Sequence, residues 1–237
     1  MCGVAGYIGS NKIDEGRIAA TMSKMINRGP DHQAFRTFQE NDLNVYLLHS
    51  RLSIIDLDSR SHQPFTIGNC SIVYNGEIYN YLELREELKK EGVYFRTTSD
   101  TEVLLQAYLK YGPACVKRFE GMWAFAIWDQ DNRRLLLSRD RFAEKPLYYH
   151  LAKDGIFFAS EIKALKELSG IHFDINRRQL LRYLALGYKS LYKQRETFFE
   201  KIEEVPYASS ILINADLSFK IERYWEPVVN PQLMSLE

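Results

Sequence analysis

Chemistry is concentrated at the start of the chain, in Met1-Cys2-Gly3, which runs directly into the apolar stretch Val4-Ala5-Gly6-Tyr7-Ile8. Removal of Met1 would make Cys2 the first residue, so that one position carries both a thiol and a free α-amine. Unperturbed, the amine titrates at about 7.7–8.0 and the thiol at about 8.5, and both are usable near neutral pH. A nucleophile activated by its own terminal amine is a recognised catalytic arrangement. An incidental cysteine at position 2 is the competing reading, and other residues have to decide between them.

Four other pieces could meet Cys2 in space. Asn75-Gly76 follows an apolar run, where a sharp turn with glycine would let a ligand approach the backbone. An Asn amide and the following Gly N–H together suit an oxyanion, although an ordinary Asn-Gly turn fits the same residues. Arg51 sits inside an apolar run, with Leu47-Leu48 before it and Leu52, Ile54 and Ile55 after. A buried arginine needs a carboxylate, either a structural one such as Asp56 or the α-carboxylate of an amino-acid substrate. Asp100 opens a helix, where an acidic residue complements the dipole or could hold a substrate ammonium. Glu77 reads as a solvated turn residue or as a helper in that second role.

Several elements have to position these groups. Ile18, Met22, Met25 and Ile26 share one face of a helix over 18–26, broken by Arg28-Gly29-Pro30-Asp31. Strands are predicted over 43–48 and 70–74, the second ending at Asn75-Gly76-Glu77. Asn80 and Glu83 predict a capped start for a helix over 80–91, with Leu82, Leu84 and Leu88 as its apolar positions. Ser99 and Glu102 do the same for a helix that Gly112-Pro113 stops. Hairpins follow over 122–138, 147–159 and 210–224, with helices capped by Ser160 and by Asn176 and Gln179. Hairpin-linked strands with a few one-faced helices predict an α+β protein of two packed antiparallel sheets with helices outside.

Composition sets the outer bounds. The chain has 237 residues, 46% hydrophobic and 26% charged, as in an ordinary globular protein. Basic and acidic residues balance at 31 each, so no field of one sign invites nucleic acid or an anionic membrane. No apolar run approaches the roughly 20 residues of a membrane span, and Gly9-Ser10-Asn11-Lys12 interrupts the first one too early for a signal peptide. Three cysteines (Cys2, Cys70, Cys115) form no zinc or disulfide pattern, which predicts a reduced, cytoplasmic protein.

In order along the chain, the start Met1 to Tyr7, Asn27-Arg28-Gly29-Pro30-Asp31, the run from His49 to Asp56, Gln63-Pro64, the run from Tyr74 to Asn80, and Ser99-Asp100-Thr101-Glu102 resemble successive motifs of the class II glutamine amidotransferases. The resemblance continues through the runs from Phe119 to Ala126, Arg139 to Phe142 and Ala159 to Leu165. It favours the asparagine synthetase B branch, since Arg28-Gly29-Pro30-Asp31 differs from the motif of the glucosamine-6-phosphate synthase branch. It covers residues 1–225; 226–237 reads as a linker or terminal tail.

The resemblance implies a four-layer α-β-β-α N-terminal-nucleophile hydrolase sandwich. Cys2 would attack the glutamine side-chain amide, its α-amine acting as base, with Asn75 and the Gly76 N–H as oxyanion hole. Arg51 would take the α-carboxylate, Asp100 with Glu77 the α-ammonium, and Leu52, Ile54 and Ile55 would wall the pocket. A γ-glutamyl thioester would yield ammonia and then glutamate, without a cofactor or metal. In the family, ammonia passes to a C-terminal synthetase domain that amidates aspartate with ATP and Mg. That domain's Ser-Gly-Gly loop does not occur here, so the chain reads as the glutaminase half, with homodimer formation left open. Amidation of another carboxylate, in surface-polysaccharide or peptide biosynthesis, or a non-catalytic binding module, are the alternatives. Three departures stand out: Ala143 and Ala208 replace glycines, and Asn27 replaces a common histidine. All lie outside the expected thiol site and bear on loops that would face a synthetase domain.

Overall fold

Period-two alternation along the strands sorts the interior into three apolar slabs between four layers. The computed structural model describes residues 1–187 and 195–228; most of the expected tail, 229–237, lies outside the described residues. One antiparallel sheet runs β10 (Glu203–Glu204), β8 (Tyr148–Ala152), β9 (Gly155–Ala159), β1 (Gly3–Gly9), β3 (Leu43–Arg51), β2 (His32–Glu40). The other runs β12 (Phe219–Arg223), β11 (Ser209–Asn214), β7 (Arg134–Arg139), β6 (Gly121–Asp129), β5 (Cys70–Ile78), β4 (Phe65–Ile67). Helices α1 (Glu15–Met25) and α4 (Ile162–Ser169) cover the first sheet. Helices α2 (Tyr81–Lys90) and α3 (Asp100–Tyr111) cover the second, while α5 (Arg177–Leu186) is largely exposed. Among the described residues no helix is long and apolar enough to cross a membrane.

Strand β1 shows how the layers arise. Val4 and Ile8 enter the central slab with Val73, Ala124, Ala126 and Trp128 of the opposite sheet. Ala5 and Tyr7, of the other parity, meet Met22, Met25 and Leu165 of the covering helices. Each such fully buried Val, Ile or Met contributes about 1.5–3 kcal/mol relative to exposure. A one-residue slip would reverse both sets, so the register is tightly specified.

The expected sandwich is present, but several local expectations give way to long-range contacts. Asn80 does not cap α2 with its side chain: its Nδ2 donates to the Arg118 carbonyl (2.9 Å) and its Oδ1 accepts from Glu120 N–H (2.9 Å). Leu82 is 57% exposed rather than part of the apolar face. Ser99 caps α3 through Thr101 N–H, but the buried Glu102 carboxylate accepts from the Arg96 and Thr97 backbone instead of closing a capping box. Ser160 does not cap α4; its hydroxyl accepts from Val4 N–H (3.1 Å) and so anchors the start of β1. Asn176 caps α5 through Gln179 N–H as expected. Strand β2 has no counterpart in the sequence reading, because this half-exposed edge strand carries no apolar alternation.

Ala143 and Ala208 both adopt the left-handed region, with φ of 57° and 50°. Their N–H groups both donate to the carbonyl of Asp140, at 3.3 and 2.8 Å. A non-glycine residue there costs about 1–2 kcal/mol, against about 0.5–1 kcal/mol of extra chain entropy lost by glycine. Ala143→Gly is therefore expected to stabilise by about 0.5–1 kcal/mol, raising Tm by about 1–4 °C in a chain of this size. A lowered Tm in thermal unfolding would mean that the alanine methyl is packed more favourably than its backbone is strained.

Candidate active site

The parity that builds the core also delivers Cys2. It lies one residue before β1, on the parity of Val4, and Gly3 is already paired with Ser50 of β3. Two long-range bonds hold this end of the chain: Ser160 receives Val4 N–H, and Arg28 Nε donates to the Cys2 carbonyl (2.8 Å). The sulfur sits against the backbone of Leu52, accepting from its N–H (3.4 Å) and donating to its carbonyl (3.5 Å). Burial pushes the thiol pKa up; the Leu52 N–H, the chain's amino terminus and Arg51 pull it back, and Asp100 raises it. Met1, half-exposed, lines the same cavity.

Asn75 and Gly76 do not form the expected turn. Strand β5 continues to Ile78, pairing Asn75 with Ala124 and Gly76 with Trp123. Glycine is required at 76 by close approach of strands: a Cβ there would lie 2.2 Å from the Met122 carbonyl oxygen and 2.7 Å from Trp123 Cα. Asn75 is 1% exposed and lines the cavity, yet its Nδ2 has no hydrogen-bond partner among the described residues. Buried amide donors are ordinarily satisfied, so this orphan marks a place for an acceptor. Backbone alternation adds a second donor. Tyr74 N–H donates to Gln63 Oε1 and Ile78 N–H to Asp100 Oδ2, both away from β6. In an antiparallel strand alternate residues face the same neighbour, so the Gly76 N–H between them is directed to that open side too.

Arg51 ends β3, buried, with its guanidinium donating to the backbone carbonyls of Ile55 (3.5 Å), Asp56 and Asp58 (3.3 Å). No carboxylate pairs with it among the described residues. Asp56, the structural partner open in the sequence, offers its carbonyl; its carboxylate instead accepts from Thr98 N–H (2.8 Å) and Asp58 N–H (3.1 Å). A buried cation held only by neutral carbonyls remains a site for an anion. Leu52 acts here through its backbone and Ile55 through its carbonyl, while Ile54, 61% exposed, stands at the rim.

Asp100 supplies the opposite charge. It is the first residue of α3, 4% exposed, and its Oδ2 accepts from the Tyr74 hydroxyl (2.9 Å) and Ile78 N–H (3.1 Å). Burial raises its pKa, opposed by those two donors. Glu77 lines the same cavity from the end of β5. His49, fully buried on β3, bridges the two sheets through Nε2 to the Tyr74 carbonyl (3.0 Å), and burial pushes its pKa down to about 3.

All nine residues singled out in the sequence line this one cavity of about 200 Å³. Liquid water takes about 30 Å³ per molecule and drug-sized ligands need about 300 Å³ or more, so the space suits one small metabolite. A thiol, an orphaned amide donor, a buried cation and a buried carboxylate around it match a small zwitterion that carries a second carbonyl. Among the described residues no group of three or more His, Cys, Asp or Glu could hold a metal ion. Arg28, Ser160, Gln63 and Tyr74 were not assigned to the site from sequence. All four stand in the quoted motifs, so the signal is partial, but no local pattern shows what each touches.

Residues 1–225 match the family model of the glutamine amidotransferase domain. Asparagine synthetase [glutamine-hydrolyzing] 1 of Bacillus subtilis is 34% identical over 238 residues, 98% of this chain and 36% of its own length. Amidase chry2 of Gibberella zeae is 29% identical over 240 residues, 95% of this chain and 34% of its own length. The chain thus spans about a third of these curated relatives. Among solved structures, the glutamine phosphoribosylpyrophosphate amidotransferase of B. subtilis superposes with a TM-score of 0.69 over 96% of this chain and 50% of its own, at 18% identity, a likeness of fold.

Proposed function

We propose that this chain, which belongs to the class II glutamine amidotransferase family and is related to the glutaminase domains of asparagine synthetase B, hydrolyses glutamine to glutamate and ammonia through a thioester on Cys2. The observation that carries the mechanism is the buried Asn75 Nδ2, unpartnered among the described residues, in the cavity that Cys2 lines. Arg51 takes the substrate α-carboxylate, Asp100 and Glu77 the α-ammonium, and the side-chain amide then lies towards the sulfur. The Cys2 thiol passes its proton to its own α-amine as the sulfur adds to the amide carbon, and the resulting oxyanion is received by Asn75 Nδ2 and the Gly76 N–H. Collapse breaks the C–N bond, ammonia leaving with a proton from the α-amine of Cys2. Water then attacks the thioester, the same donors hold the second oxyanion, and glutamate leaves with the thiol restored.

This route needs Met1 removed, because the Cys2 nitrogen is otherwise an amide without basicity. Cysteine is small enough for methionine aminopeptidase to act on the bond before it. A raised thiol pKa makes the base necessary, since little thiolate is present at neutral pH without proton transfer. In the whole protein, ammonia would serve ATP-dependent amidation of aspartate by a C-terminal synthetase region. A different carboxylate acceptor is the second reading, since the matched family model covers only the glutamine amidotransferase domain and leaves the acceptor open.

Intact mass and peptide mapping before and after exposure to 6-diazo-5-oxo-norleucine test the assignment. The expected result is a chain beginning at Cys2 that gains one adduct on that residue. Processed chain with no adduct would overturn catalysis and leave a non-catalytic binding module.

A further inference from the structure

Asp100 is an unusual residue to bury. At the first position of α3 it could satisfy the helix dipole from solvent, and Ser99 already caps the helix through Thr101 N–H. Instead its carboxylate lies in the cavity with no Lys, Arg or His at ion-pair distance among the described residues. A buried carboxylate without a cation is costly unless neutral donors hold it ionised. The Ile78 N–H and the Tyr74 hydroxyl converge on the same oxygen, and the Thr101 N–H also helps to hold the charge.

Tyr74 is built to place that hydroxyl. Its backbone N–H is taken by Gln63 Oε1 (2.6 Å) and its carbonyl by His49 Nε2 (3.0 Å), which fixes the residue between the 52–64 segment and β3. Its ring stands beside Gly76, where a Cβ on residue 76 would meet Tyr74 Cε2 at 2.7 Å. The hydroxyl stays protonated, burial and Asp100 both pushing its pKa well above the usual phenol value, so it acts as donor and Asp100 as acceptor.

We infer that Tyr74 is a positioning residue for substrate recognition: its hydroxyl keeps the Asp100 carboxylate ionised and turned to meet the α-ammonium of an amino-acid substrate. The inference rests on the proposed glutaminase reading and names which substrate group depends on Tyr74. With Oδ2 occupied by two protein donors, Oδ1 is the less occupied oxygen and the one open to a ligand cation. Removing the hydroxyl weakens the hold on that cation and leaves the thiol, Asn75 and Arg51 as they were. The effect is therefore on binding of substrates that carry an α-ammonium.

The test compares glutamine with glutaramate, its α-desamino analogue, in the unaltered chain and in Tyr74→Phe. Tyr74→Phe is expected to raise KM for glutamine about tenfold, as for loss of one hydrogen bond to a charged group, with kcat changed less than about twofold. For glutaramate kcat/KM should be the same in both proteins. Equal losses on the two substrates, or a fall in kcat alone, would overturn the inference, because a merely structural hydroxyl affects both alike. Asp100→Asn separates the two levels of the reading. If it raises the glutamine KM and Tyr74→Phe does not, Tyr74 has no such role; if it leaves KM unchanged, the ammonium assignment itself fails.

Discussion

Cys2→Ala is expected to abolish glutamine-dependent ammonia release while leaving the fold intact. Loss of a covalent nucleophile from a cooperating set costs on the order of 10⁴–10⁶ in kcat, because the remaining groups cannot replace the bond it forms. The structural cost is small by contrast. Cys2 precedes β1, is only partly buried, and its sulfur makes only long contacts to the Leu52 backbone. The groups that anchor this end of the chain, Ser160 on Val4 N–H and Arg28 on the Cys2 carbonyl, bind main chain and survive the substitution. Ammonia release and thermal unfolding measured on the same sample decide the matter. Persisting activity would place the nucleophile elsewhere, and a large loss of Tm would make the lost activity uninformative about chemistry.

Asn75→Ala should separate activity from stability in a different way. As an oxyanion donor, Asn75 is worth about 10²–10³ in kcat, or about 2.7–4 kcal/mol, with KM for glutamine little changed. Among the described residues its Nδ2 is buried without a protein partner, a condition that costs about 1–3 kcal/mol. Substitution relieves that cost and opens a small cavity, two effects that offset one another, so Tm should hold or rise. A residue whose loss slows turnover without loosening the fold is one kept for function at the expense of stability. The opposite pattern, a falling Tm with kcat unaltered, would return Asn75 to an ordinary structural role.

Much of the fold was legible because its determinants are local. The short apolar runs 43–48 and 70–74, the apolar face of α1, and turn residues between the later hairpins are patterns within a few positions of each other. Where a short-range rule failed, a distant group had taken the side chain over. Asn80 is drawn to Arg118 and Glu120, Glu102 to residues 96–97, and Ser160 to Val4. The Asn75-Gly76 pair shows the same limit. Its letters suggest a turn, and only pairing with Ala124 and Trp123 keeps it extended, with glycine needed for strand approach.

By itself the sequence determined the layered α+β class, the family motifs in order, and which nine residues to suspect, six of them from residue type and position and Leu52, Ile54 and Ile55 from the family resemblance alone. The tertiary structure alone decided that the nine share one small cavity, that Arg51 is held by carbonyls rather than by the Asp56 carboxylate, and that Tyr74 stands behind Asp100. The reason is separation along the chain. Cys2 meets Leu52 across 50 positions, Tyr74 meets Asp100 across 26, and Val4 meets Ser160 across 156. Contacts of that span are set by strand register and sheet packing, which bring together side chains that no local pattern relates.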